Sequence, residues 1–255
     1  MGKGCSNCRN HQCSDLWSNH PHLDKMTDTE KVLCVKKEDI LAVGVVPEKD
    51  RDGSIYNSSL VLDNLSRLIT IQSENPDCYV ERKECEYTEG LIQIIPYVVY
   101  IQRSLLTKSI THVLNYTRSK GGDPRLVSKR SIGFGGHVNS SDMDSSGYIS
   151  GMIREQVEEV SLPERLRKAS AFQLHDYIYV PGADMISKVH LGMLYTCQVT
   201  AEEATQLTVP NAENENLINM SWLTYPLSAY LLDNKHTSQW EVWSVEAWKT
   251  ISKIK

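Results

Sequence analysis

Apolar residues recur along this chain in two rhythms. Leu60, Leu62, Leu65, Leu68 and Ile69 are spaced as one face of a helix. Short runs rich in β-branched and aromatic residues predict strands at Val43 to Val46, Tyr79 to Lys83, Ile92 to Gln102 and Val113 to Arg118. Leu126 to Phe134, Phe172 to Val180 and Lys188 to Val199 read the same way. Val32 to Val35 is a further apolar stretch. Turn signals separate the segments: Asp50-Arg51-Asp52-Gly53, Ser119-Lys120-Gly121-Gly122-Asp123-Pro124 and Pro181-Gly182-Ala183-Asp184. Past a polar loop beginning at residue 137, a helix is predicted from about Gly147 to Val160, with Ile153, Val157 and Val160 on its apolar side. Ala201 to Leu207, Leu227 to Leu232 and Gln239 to Ile251 are helical candidates, and Asn211 to Asn216 is a polar loop. Strands crowd the middle and helices are interspersed and late, which predicts an α/β chain of the mixed α+β kind.

Residues 1 to 25 break the pattern. They hold three of the seven Cys and three of the eight His, and few aliphatic residues. Such a segment cannot bury a core and reads as a disordered tail. Within it Cys5, Cys8, His11 and Cys13 have zinc-ligand chemistry without the usual two-pair spacing. Met26 looks like a fresh start, giving a tail over 1–25, an extension over 26–90 and a main domain over 91–255.

Composition narrows the function. Hydrophobic residues make up 40% of the 255, enough for a buried core. The net charge of -5 argues against a nucleic-acid polymer as the main partner, although a nucleotide needs only a local basic patch. Residues 103 to 130 supply such a patch. Arg103, Lys108, Arg118, Lys120, Arg125, Lys129 and Arg130 are opposed only by Asp123. Alternation along a strand lets only half of these share a face. No secretory signal or membrane-length apolar run is evident, and an odd cysteine count fits reduced thiols, so a cytoplasmic protein is expected.

The chemistry concentrates around Gly135-Gly136-His137 and the stretch from Arg154 to Leu162. Glu155, Glu158 and Glu159 fall at i, i+3 and i+4, one face of a helix. Like charges there repel, and a hard divalent cation with oxygen ligands would offset the repulsion. A glycine pair lets a backbone carbonyl approach the same cation. A solvated acidic helix face is the plainer alternative. His137 could contact phosphate or metal, or cap its loop, while His190 reads as a packed histidine. Trp222, Tyr225, Trp240 and Trp243 could stack on a base or fill a core.

These residues resemble the signature of the Nudix hydrolases, Gly-x5-Glu-x7-Arg-Glu-U-x-Glu-Glu-x-Gly-U, where U is aliphatic. Arg154, Glu155, Glu158, Glu159 and Leu162 fall on pattern positions. Gln156 replaces an aliphatic residue and Ser161 the late glycine. Counting forward from Gly136 puts the first Glu position at Asp142, whereas counting back from Arg154 puts it at Ser146, so the loop is four residues longer than usual. The strings Gln93 to Val99, Tyr116-Thr117-Arg118, Lys129 to His137, His190-Leu191-Gly192 and Trp240 to Ser244 look like a bacterial and phage subgroup of MutT-type phosphoesterases.

The resemblance implies an α/β/α sandwich with a central mixed sheet and an N-terminal extension. It implies a Mg2+- or Mn2+-dependent pyrophosphatase acting on a small nucleotide-type substrate, with a homodimer compatible. Carried over, Glu158, Glu159 and a carbonyl of the glycine pair, such as that of Gly136, hold metal. Glu155 is a base or further ligand oriented by Arg154, and Asp142 stands in as a supporting acid. Arg118, Arg130 and His137 are the candidates for substrate phosphate. Glu202, Glu203 and Glu241 are candidates for an additional metal-binding Glu outside the box. The alternatives are an isoprenyl diphosphate isomerase of the same fold and a nucleotide-binding module without turnover.

Overall fold

Thirteen residues, Leu91–Arg103, form the strand around which the rest of the sheet is built. The computed structural model describes residues 30–50, 58–119, 126–144, 147–183, 187–207, 217–225 and 236–254. In chain order the strands are β1 (Lys31–Lys36), β2 (Tyr79–Glu81), β3 (Leu91–Arg103), β4 (Ile110–Arg118) and β5 (Arg130–Ser131). They continue with β6 (Gly133–Phe134), β7 (Phe172–Ile178), β8 (His190–Gln198) and β9 (Leu217–Thr224). The helices are α1 (Lys37–Ala42), α2 (Ser58–Ser73), α3 (Arg82–Cys85), α4 (Tyr148–Glu159), α5 (Ala201–Leu207) and α6 (Val242–Ile251).

On one side β3 pairs in parallel with β8 from Gln93↔His190 to Ile101↔Gln198, and β8 pairs with β7. Its other side is shared, antiparallel, by β1, then β6, then β4. β4 extends the sheet to β5 and β9, and β1 extends it to β2. The sheet is therefore mixed, with one parallel pair among antiparallel ones.

Both faces of β3 are buried, which is why its sequence is a near-continuous apolar run rather than an alternation. Ile92, Ile94, Val98 and Tyr100 join Leu65 and Ile69 of α2, Tyr148 and Met152 of α4, and Ala204 and Leu207 of α5 in one core. Tyr97, Val99 and Ile101 join Trp240 and Ala247, Trp248 and Ile251 of α6 in a second core. Full burial of each large apolar side chain contributes roughly 1.5–3 kcal/mol. Helices on both faces make this an α/β/α sandwich, the mixed α+β fold expected. β1 and α2, from the segment before residue 90, are integral to the sheet and the first core.

Several expectations need correction. Val43 to Val46 is not a strand: after α1 the chain turns at Gly44, where φ is +96°. Only Tyr79–Glu81 of the segment to Lys83 is extended, and Arg82 opens α3. Leu126 to Phe134 breaks into the two short strands β5 and β6. β9 has no counterpart among the expected strands: Asn219 and Ser221 interrupt its apolar residues. The tail, Arg51 to Gly53, most of the Ser119 to Pro124 turn, Asn211 to Asn216 and Leu227 to Leu232 lie outside the described residues.

Candidate active site

The chain leaves β6 through the glycine pair. A Cβ on Gly135 would stand 2.1 Å from the backbone oxygen of Pro96, and one on Gly136 2.2 Å from Oε2 of Glu155. The first contact is with rigid backbone, the second with the carboxylate that the loop must approach. No side chain fits at either position without moving its neighbour.

Arg154, on α4, gathers the surrounding groups. Its Nε donates to Oδ1 of Asp142 at 2.7 Å, and Nη2 donates to Oδ2 of Asp142 at 3.0 Å and to the carbonyl of His137 at 2.8 Å. Nη1 lies 3.0 Å from Oε1 of Glu155 and 2.9 Å from Oε2 of Glu158. The loop preceding α4 is itself tied down. Asn139 and Asp142 form a capping box, with the Asn139 N–H donating to Oδ2 of Asp142 at 2.8 Å. This short capped turn presents Asp142 to Arg154.

Burial dominates the electrostatics of the carboxylates. It pushes Glu155 up to about 7, against the pull of Arg154. It pushes Glu159 up to about 8, against Arg118, and the Glu155 charge pushes the same way. The Oε2 atom of Glu159 is buried without a hydrogen-bond partner. The residues therefore fit a hard divalent cation. An orphaned carboxylate oxygen and a second raised carboxylate beside it are oxygen donors of the kind such an ion takes. Glu158 is the most exposed of the three, at 57% of its side chain.

Arg118 lies beside this cluster. Its guanidinium sits 5.6 Å over the Tyr116 ring and Nε donates to Oε1 of Glu241. Burial opposes its charge, but Tyr116, Glu241 and Glu159 outweigh that and hold it protonated. Glu241, buried at the N-cap of α6, is thereby drawn to the same place. Its charge acts on Glu159, pushing that carboxyl up. Glu202 is exposed, and Glu203 is occupied by Arg165 at 2.5 and 2.7 Å.

Other expected residues go elsewhere. Arg130 is turned to Asn115, with Nη2 donating to Oδ1 at 2.5 Å, and lies 4.5 Å over the ring of Trp240 in the second core. Arg118 and Arg130 thus serve opposite faces of the sheet. The His137 ring packs edge-on against His190 at 5.5 Å. Burial, then the charges of Arg82, His190 and Arg154, hold His137 neutral, well below the usual histidine range. Trp240 and Trp243 pack in the second core, and Trp222 donates to the Ala204 carbonyl at 3.0 Å. Gln156 has a role that the pattern did not reveal. It is fully buried, accepts from the Tyr100 hydroxyl at 2.8 Å and donates to the Phe134 carbonyl at 3.3 Å. Those bonds pin α4 to β3 and β6, work an aliphatic residue could not do.

No family model and no curated protein matches the chain. Among solved structures, Tm1382, provisionally assigned to the Nudix hydrolases, is 26% identical with a TM-score of 0.52, over 86% of this chain and 96% of its own. A Nudix hydrolase from Alicyclobacillus acidocaldarius is 12% identical with a TM-score of 0.46, over 63% of this chain and 91% of its own. A MutT/nudix family protein from Enterococcus faecalis is 15% identical with a TM-score of 0.38, over 52% and 44%. With α4 packed on a mixed sheet below the glycine pair, and Arg154, Glu155, Glu158 and Glu159 on the signature positions, the chain belongs to the Nudix superfamily.

Proposed function

We propose that this chain is a Mg2+- or Mn2+-dependent hydrolase of a diphosphate linkage in a nucleoside diphosphate derivative. The observation that carries the reading is the buried, unpartnered Oε2 of Glu159, set beside Glu155 and the Gly136 backbone and flanked by the fixed cation of Arg118. Glu155, Glu158, Glu159 and the Gly136 carbonyl would hold the metal, with Glu241 as a further carboxylate from outside the box. The bound cation would neutralise diphosphate charge and acidify a water. Glu155 would accept a proton from the attacking water, and Arg154 fixes its carboxylate and tunes its basicity. Arg118 meets substrate phosphate, a charge-assisted contact for which a planar guanidinium is suited. Asp142 supports by holding Arg154. Residues 91–255 form the catalytic domain and 26–90 an extension built into its sheet.

A panel of nucleoside triphosphates, nucleotide sugars, ADP-ribose and dinucleotides, incubated with Mg2+ or Mn2+, tests this by phosphate or nucleotide product release. Metal-dependent turnover of at least one is expected, and it should fall about a hundredfold or more in Glu159→Gln. Tight nucleotide binding with no turnover of any would instead identify a sensor module.

A further inference from the structure

His137 divides its attention between two places. Its carbonyl accepts from Arg154, while its ring meets a second group of ligand-type side chains. Glu86, His137 and His190 each offer one ligand atom, and these atoms all lie within 4.8 Å of one another. Glu155, Glu158 and Glu159 are not members of this group. We propose that Glu86, His137 and His190 form a second metal site, for a first-row transition ion such as Zn2+, which braces the glycine loop against β8 and the end of α3.

The spacing suits such an ion. The Nε2 atoms of His137 and His190 are 3.4 Å apart. Two nitrogens each about 2.0–2.1 Å from a tetrahedral zinc stand roughly 3.4 Å from one another. The same separation is longer than an ordinary hydrogen bond between ring nitrogens. Two imidazoles and one carboxylate favour zinc, cobalt or nickel over magnesium, which selects oxygen. The triad leaves a fourth position open to water.

The topology converges on this spot from three directions. His190 begins β8, His137 follows β6 on the other side of β3, and Glu86 caps α3. The neighbouring cation, Arg82, is held by Glu30 at 3.0 Å and stands 3.9 Å from Glu86, which leaves that carboxylate with only a long contact there. A second observation points to a missing polar partner. Gln93 is the register partner of His190 on β3, fully buried, and neither its Oε1 nor its Nε2 has a hydrogen bond. Buried amides are rarely left so. A hydrated ion beside His190 would bring donors and acceptors into that apolar wall.

The test uses the full-length chain with Cys5, Cys8 and Cys13 replaced by serine, so that the N-terminal thiols cannot compete. Zn2+ binding is followed by equilibrium dialysis, and Co2+ by its visible absorption, in excess Mg2+. One equivalent is expected, with an imidazole-type cobalt spectrum, and binding should persist in the Glu155→Gln/Glu159→Gln double variant. Affinity should fall at least about tenfold in His190→Gln and in Glu86→Gln. Zn2+ should also raise Tm more in the parent than in Glu86→Gln. If His190→Gln fails to fold, Glu86→Gln, at the partly exposed rim, decides alone. Absence of binding above Mg2+, indifference to Glu86, or loss of the ion in the double variant would overturn the proposal.

Discussion

Arg154 and Asp142 are twelve residues apart and joined by two parallel hydrogen bonds, 2.7 Å from Nε and 3.0 Å from Nη2. The fork holds the loop that carries His137 onto the helix that carries the carboxylates. Asp142 is buried and Arg154 about a quarter exposed, so solvent screens the pair only partly. Replacing Asp142 with Asn leaves one oxygen to accept and removes the charge. Stability should drop by about 1–3 kcal/mol. Turnover should fall while KM stays within a few-fold, because Asp142 acts through Arg154. Thermal melts and steady-state kinetics on Asp142→Asn check both. An unchanged Tm would mean the fork contributes nothing to the fold.

The metal assignment makes a sharper demand on Glu159. Burial pushes the Glu159 carboxyl up to about 8, so its exchange for a neutral amide should leave the fold intact in the metal-free protein. Turnover should nevertheless fall about a hundredfold or more, as when a preorganised electrostatic group is removed. Mn2+ at a hundredfold excess over its Kd should stabilise the parent by about 2.7 kcal/mol. Glu159→Gln should lose most of that gain, and Glu155→Gln part of it. Equal Mn2+-induced shifts in all three proteins would place the cation elsewhere.

Two arginines that looked equivalent in the sequence are separated by the sheet. Arg118→Ala should weaken substrate binding by roughly 1.5–3 kcal/mol, with Arg118→Lys recovering only part because the fork is lost. Arg130→Ala should leave KM unchanged and lower Tm instead, because it removes the bond to Asn115 and the stacking on Trp240. A raised KM in Arg130→Ala alone would reverse the assignment of faces.

The signature residues were legible because their spacing is local. A helix fixes which of residues 154 to 159 share a side, and a glycine pair marks a close approach wherever it falls. The long strands were legible from apolar runs. Glu241 and the His137–His190 pair were not placed, because Arg118, the partner of Glu241, is 123 residues away and the two histidines are 53 apart, so only tertiary packing unites them. Arg118 and Arg130 were named together because alternation says that faces differ but not which one a helix covers. α1 and α3 escaped notice because they are six and four residues long, too short for a periodicity to build.

Glu203 supplies a pH test away from the chemistry. Arg165 holds its carboxyl down to about 2, aided by the backbone and hydroxyl of Thr200 and opposed by burial. Its Oε2 accepts from the Thr200 N–H at 2.8 Å, and the Thr200 hydroxyl accepts from the Glu203 N–H at 3.2 Å, so the pair also caps α5. A carboxylate whose folded pKa is depressed stabilises the fold above its unfolded value, near 4.5, and that stability is lost as pH falls toward about 2. Glu203→Gln should therefore melt below the parent at pH 7, and the difference should narrow steadily between pH 4.5 and pH 2. Arg165 is largely exposed, so added salt should narrow the pH 7 difference too. A gap in Tm that stays constant from pH 7 to pH 3 would show that the amide is losing packing or cap geometry rather than the ionised contact.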